Sequence, residues 1–329
     1  MKRVIGFLKY RFIAITISLG LILVFTVVTF IKGGLKMGID FAGGVKIIAK
    51  FEEGITETKI RDSLKEFNPM VQQIGSEDKN EYIISTKLKE EKKVKPKKKI
   101  DNSSVKKTGL KDKKTVKNVI KSKKVKEEPK IESDRVLSIR KKLAKDFNNV
   151  KFLSVENVGP AIGDFLKKSA LKLFLIAIVL MVLYLTFRFE FKYSVGAIAA
   201  LVHDILFCTV FCGLAGIEIN IPVIAALLTT FGYSVNDTIV IFDRVRENVQ
   251  FESKQTYIDL INKSVSQSLS RTLLTSLTTL FVVLALYLLG GKVLNDFALV
   301  LLVGIFVGTY SSIYIASPVL IAWEKYFSK

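Results

Sequence analysis

Four side chains stand where an otherwise apolar chain has no ordinary use for them. Asp237 lies within Tyr233-Ser234-Val235-Asn236-Asp237-Thr238, His203 and Asp204 are neighbours in a second apolar run, and Arg271 opens a third. A carboxyl group surrounded by hydrocarbon favours its neutral form, and an approaching guanidinium favours the ionised one. An acid and an arginine that draw together and apart can therefore bind and release one proton per cycle. One charge crossing 100 mV is worth about 2.3 kcal/mol. Tyr233, Asp237, Val240 or Ile241, and Arg244 recur at helical spacing and share one face, with Asn236 beside them. The alternative for Asp237 is structural: a carboxylate satisfied by Asn236, Thr238 or a neighbouring helix. His203 is the sole histidine of the chain, and it reads either as a hydrogen-bonding partner between helices or as a titrating group. Asp204 is expected about 100° around the helix from it, facing the cytoplasmic half of a polar cavity.

Other chemistry finds no residues. Cys208 and Cys212 sit inside an apolar run as small packing residues, so neither a disulfide framework nor a zinc site is expected. No phosphate-binding loop, nucleophile elbow, zinc-protease helix or dinucleotide fingerprint is present. The expectation is a protein with no covalent catalysis, no metal and no cofactor.

The elements that must hold these residues are helices. A bilayer core about 30 Å thick takes roughly 20 apolar residues, and six stretches come close: 12–31, 170–187, 194–216, 221–242, 272–290 and 296–318. The fold class expected is an α-helical membrane protein with six transmembrane helices. The first stretch is too long for a signal-peptide core and is followed by Phe30-Ile31-Lys32, not a cleavage pattern, so it reads as a retained anchor. Lys2, Arg3, Lys9 and Arg11, then Arg188 and Lys192, then Arg244, Arg246, Lys254 and Lys263, and finally Lys325 and Lys329 fall on one side. The rule that short cytoplasmic loops are cation-rich places both termini in the cytoplasm. Three regions follow: 1–31, 32–168 and 169–329.

Half of the 329 residues are apolar, yet the net charge is +20. The excess is local, because residues 87–130 contain 19 Lys against 6 acidic residues. That tract has no aromatic residue and too few apolar ones to offset chain entropy, so it reads as a disordered insertion. It is either a solvated loop or a tether for anionic lipid or acidic polypeptide. Nucleic acid is not expected, since no aromatic residues interleave for stacking. Around it, 32–168 gives strands at Val45–Phe51, Val71–Ile74, Glu81–Thr86 and Val150–Val158. Helical spacing runs over Thr56–Phe67 and, capped by Ser133, to Phe147. This β-α-β-β-α-β order predicts a small α/β ferredoxin-like domain between the first two helices.

Several runs carry a resemblance. Gly38-Ile39-Asp40-Phe41-Ala42-Gly43-Gly44 follows the first span, and Ala200-Leu201-Val202-His203-Asp204 lies on the third. Phe231 to Asn248 on the fourth and Ser270-Arg271-Thr272-Leu273-Leu274-Thr275-Ser276 on the fifth complete the set. In order, these resemble the motifs of the SecD/SecF family of bacterial protein-export membrane proteins, whose architecture is that of resistance-nodulation-division exporters. The resemblance implies a periplasmic domain over 32–168 and a location in the cytoplasmic membrane. It also implies an obligate SecD partner, action beside the SecYEG channel on a translocating preprotein, and use of the proton motive force. It puts the family's proton-carrying carboxylate on Asp237 and its functional arginine on Arg271. Asn236, Tyr233, His203 and Asp204 are expected along the pathway from their own positions in the apolar runs. Gly38, Asp40, Gly43 and Gly44 are a structural motif in which Asp40 caps or pairs locally. The Lys-rich insertion departs from the family pattern. Two other functions compete: a small-molecule or lipid exporter, and a membrane scaffold without transport chemistry.

Overall fold

The computed structural model describes residues 4–52, 54–74, 80–87, 131–251 and 255–327. Apart from Lys87, the Lys-rich tract and what was expected of it lie outside the described residues. Among those residues six helices are long and apolar enough to cross a membrane. They are α1 (Arg11–Ile31), α5 (Pro160–Arg188), α6 (Phe191–Ala215), α7 (Ile221–Phe251), α8 (Tyr257–Leu289) and a composite sixth. The sixth runs through α9 (Lys292–Ser311), a π-helical turn (Ser312–Ala316) and α10 (Ser317–Phe327). A helix satisfies its own backbone, the condition for crossing hydrocarbon.

Helices α7 and α8 run beyond the apolar stretches read from sequence, because their polar ends hold one another. Asn248 donates to Ser264 Oγ (2.7 Å) and Gln267 Oε1 (2.9 Å), and Arg244 Nε donates to Gln267 Oε1 (2.7 Å). Thr256 caps the start of α8, its hydroxyl accepting from the Asp259 amide. Helices α1, α5 and α8 turn apolar side chains outward, among them Phe12, Phe187 and Leu289. Helices α6, α7 and the composite sixth are the most enclosed.

Between α1 and α5 lies the smaller domain. A short α2 (Ile39–Ala42) leads into β1 (Gly44–Lys50), then α3 (Glu57–Ser63), β2 (Met70–Ile74), β3 (Glu81–Lys87), α4 (Ile131–Asp146) and β4 (Lys151–Val158). The sheet order is β2-β3-β1-β4 with every pair antiparallel, the ferredoxin-like arrangement expected. Alternation along β1 turns Val45, Ile47 and Ala49 inward, where they cluster with Ile84, Ile60, Leu64, Ile139 and Leu143. Thr56 is the N-cap of α3, accepting from the Lys59 amide. Ser133, read as a cap, lies inside α4, which is already helical from Ile131; a capping side chain marks a start only where the turn before it is not helical.

Candidate functional site

Two buried carboxylates flank one tightly packed pair of helices, α7 and α9. The packing comes from small residues. A Cβ at Gly308 would lie 3.0 Å from the Ser234 Cβ, and one at Gly304 would collide with the Thr230 side chain. Glycine there lets the two backbones approach, as small-x-x-x-small faces do in membranes.

The first carboxylate is Asp237 on α7, 6% exposed. Its Oδ2 accepts from Thr309 Oγ1 on α9 (3.1 Å) and from Ser276 Oγ on α8 (3.2 Å). Those two hydroxyls are 2.8 Å apart; with one proton each, they supply two of these three hydrogen bonds at a time to an ionised Asp237. One turn earlier on α7, the Tyr233 hydroxyl donates to Thr279 Oγ1 of α8 at 3.2 Å. Tyr233, Asp237 and Arg244 thus all meet α8, as helical spacing had arranged. Among the described residues Asp237 has no ion pair.

The second is Asp204 on α6, 1% exposed. Its Oδ1 bonds to His203 Nδ1 at 2.8 Å, and its Oδ2 accepts from Ser234 of α7 (2.5 Å) and Ser311 of α9 (2.7 Å). The other ring nitrogen of His203 bonds to Ser18 Oγ of α1. The acid therefore ties α6 to α7 and α9, with α1 reached through His203, and is enclosed, contrary to the placement expected from sequence: three partners close around it. Nor does it stand apart from His203, because the two side chains bend towards each other. Ser311 is the last residue before the π-helical turn, a local widening that commonly marks functional sites in helices.

Arg271 is exposed on α8, and no hydrogen bond or ion pair joins it to Asp237. Asn236 is exposed on α7, on the side away from Asp204. The structure thus brings together Asp237, Tyr233 and α8, and separately His203 with Asp204, while Arg271 and Asn236 face outward. The partners missed in the sequence are Ser276, Thr309, Ser311 and Ser18. Their signal is a hydroxyl residue set among glycines or apolar residues at helical spacing, as in Gly304, Gly308, Thr309 and Ser311.

The glycine-rich motif after α1 lies at the junction of the two parts. Gly43 has φ +75°, and a side chain at Gly44 would strike the Thr86 carbonyl of β3. The Gly38 amide donates to the Ile219 carbonyl (2.8 Å), and Asp40 Oδ2 accepts from the Ile221 amide (2.9 Å) at the start of α7.

Comparison with known proteins places this arrangement. Residues 138–326 match the family model "Protein export membrane protein SecD/SecF, C-terminal". The chain is 36% identical over 331 residues to the protein translocase subunit SecF of Thermodesulfovibrio yellowstonii, covering 98% of this chain and 96% of that one. It is 46% identical over 197 residues to the protein translocase subunit SecDF of Thermus thermophilus, of which it spans 27%. The crystal structure of SecDF from Thermus matches with a TM-score of 0.75 at 33% identity, over 98% of this chain and 39% of that one. With six membrane-crossing helices, a ferredoxin-like domain after the first and this set of relatives, the chain belongs to the SecD/SecF family of protein-export membrane proteins, as a multi-pass translocase subunit of the SecF type.

Proposed function

We propose that this chain is the SecF half of a proton-driven accessory complex. It works with a SecD partner beside the SecYEG channel in the bacterial cytoplasmic membrane, drawing preproteins outward to complete export. In this reading both termini are cytoplasmic and the ferredoxin-like domain is periplasmic. The SecDF relatives support the partnership, since this chain matches only part of their length.

The observation that carries the reading is the hydroxyl setting of Asp237. A hydroxyl has one proton to give and two lone pairs that accept. Ser276 and Thr309 can therefore donate to a carboxylate, or rotate and accept from a protonated carboxyl, without any backbone change. The site suits both protonation states, which a cation locked against the acid would not. Arg271 lies five residues before Ser276, about 7.5 Å along α8. Its exposed guanidinium becomes the movable charge once a partner encloses this face, favouring the ionised acid when close and the neutral acid when distant. Tyr233 with Thr279 extends the hydroxyl chain along the seam of α7 and α8, and Asn236 faces the partner. His203 and Asp204, on the far side of α7 and α9, hold the helices whose relative position sets the site.

The test is Asp237→Asn in cells depleted of the native subunit. Asparagine keeps hydrogen bonds to Ser276 and Thr309 but cannot cycle a proton. Precursor should accumulate while the amount of the subunit in the membrane is unchanged. Normal export would remove the proton role.

A further inference from the structure

The segment Gly38–Gly44 is not a simple linker, because it supplies the missing cap of the helix that carries Asp237. The first amides of any α-helix lack partners within the helix. On α7 each is accounted for. The Ile221 amide donates to Asp40 Oδ2 (2.9 Å), and Pro222 has no amide proton. The Val223 amide donates to Asn220 Oδ1 (2.9 Å), and the Ile224 amide to the Asn220 carbonyl (3.0 Å). The Ile224 bond is the first within the helix, so one of the two side-chain caps comes from a residue 181 positions earlier, on the threshold of the sheet domain. A carboxylate there also meets the positive end of the helix dipole.

Further contacts surround that bond. Lys36 accepts from the Ile219 amide (2.8 Å), and Gly38 donates back to the Ile219 carbonyl (2.8 Å), a short bridge between Met37 and Ile219. Phe41 is buried with Cys208, Val223, Ala226 and Leu301 of the bundle. At α5, a Cβ on Gly163 would lie 2.9 Å from the Phe41 carbonyl, so the two backbones touch. On the other side Gly44 begins β1, pressed against Thr86, and Lys87 at the end of β3 pairs with Glu218 at 2.6 Å. The sheet domain is therefore gripped at the ends of α5 and α7 and does not swing on a free hinge.

We propose that Asp40 is a positioning residue that makes α7 and the sheet domain one mechanical body, so that displacement of α7 at Asp237 moves the sheet. Asp237 lies 16 residues beyond Ile221 on one uninterrupted helix, about 24 Å away. The proposal rests on the proton reading above for what drives α7, but the clasp has a local mark of its own.

The experiment follows amide hydrogen exchange of residues 217–224 and of β1 in the complex with its membrane partner, alongside precursor export. It compares the parent, Asp40→Ala, Asp40→Asn and Ile221→Pro, each with and without Asp237→Asn. Ile221→Pro deletes the same hydrogen bond from the donor side, at the helix position where proline is best tolerated. In Asp40→Ala, exchange at the first turn of α7 should rise about fivefold, the ordinary worth of a helix N-cap. The change that Asp237→Asn produces in β1 should disappear in Asp40→Ala and Ile221→Pro, with loss of export. It should persist in Asp40→Asn, which keeps an acceptor. A β1 response that survives both deletions overturns the clasp, as does failure of Asp40→Asn to preserve it. If Asp237→Asn leaves export normal, the proton reading fails instead, and unchanged exchange at 217–224 in Asp40→Ala would still separately refute the cap.

Discussion

Replacing Asp204 tests whether a hydrogen-bonded acid in the bundle is worth what its burial suggests. In Asp204→Leu, Ser234, Ser311 and His203 each lose an acceptor. On the scale of soluble proteins each orphaned donor costs about 1–3 kcal/mol, which would make this position among the most costly in the chain. In membranes the unfolded reference state also finds partners, and interhelical bonds average only about 0.6 kcal/mol, reaching about 1.7. Two such bonds, to α7 and α9, then amount to about 1–3 kcal/mol together. Asp204→Asn should cost less, because the serine hydroxyls can turn and accept from its amide. The assay is unfolding of the full chain in mixed micelles with increasing dodecyl sulfate, as a double-mutant cycle of Asp204→Asn and Asp204→Leu with Ser311→Ala. Strict additivity of Asp204→Leu with Ser311→Ala would refute the reasoning, since residues sharing a hydrogen bond must couple. So would an asparagine variant as unstable as the leucine one.

Three further outcomes are expected. Gly308→Leu drives a side chain into Ser234 where only 3.0 Å is free at Cβ, and should cost about 1–3 kcal/mol by overpacking in the same unfolding assay, with Gly232→Leu, which meets open space, as the neutral control. Ser276→Ala combined with Thr309→Val strips Asp237 of both its hydroxyl partners; export should fall towards the level of Asp237→Asn, and either single change should act less, as read by precursor accumulation. Lys87→Ala should loosen the junction by less than about 1 kcal/mol, because the Lys87 side chain is 41% exposed beside Glu218, and the difference should shrink in high salt, measured by exchange at the α6–α7 link.

Six membrane crossings were legible because hydrocarbon imposes its demand locally: about 20 apolar residues per helix, whatever the neighbours. The sheet domain was legible for a related reason, since alternation at Val45, Ile47 and Ala49 and helical spacing at Ile139 and Leu143 are periodicities of single elements. Asp237 and Asp204 announced themselves by standing in oil, which is costly enough to require an explanation.

Their partners did not. Thr309 and Ser311 are ordinary hydroxyl residues in sequence, and they acquire meaning only when Gly304 and Gly308 let α9 lie against α7. The same packing decides that Asp204 is sealed between α6, α7 and α9 and that Arg271 stays outside, choices no spacing within one helix can encode. Asp40 is the clearest case. It was expected to cap or pair locally, but the amide it caps belongs to a helix 181 residues further on. Local periodicity determined which elements form and which polar groups need partners. Which partners they take was decided only by the crossing of distant helices, because hydrogen bonds are specific at about 3 Å while sequence patterns report only the face on which a residue lies.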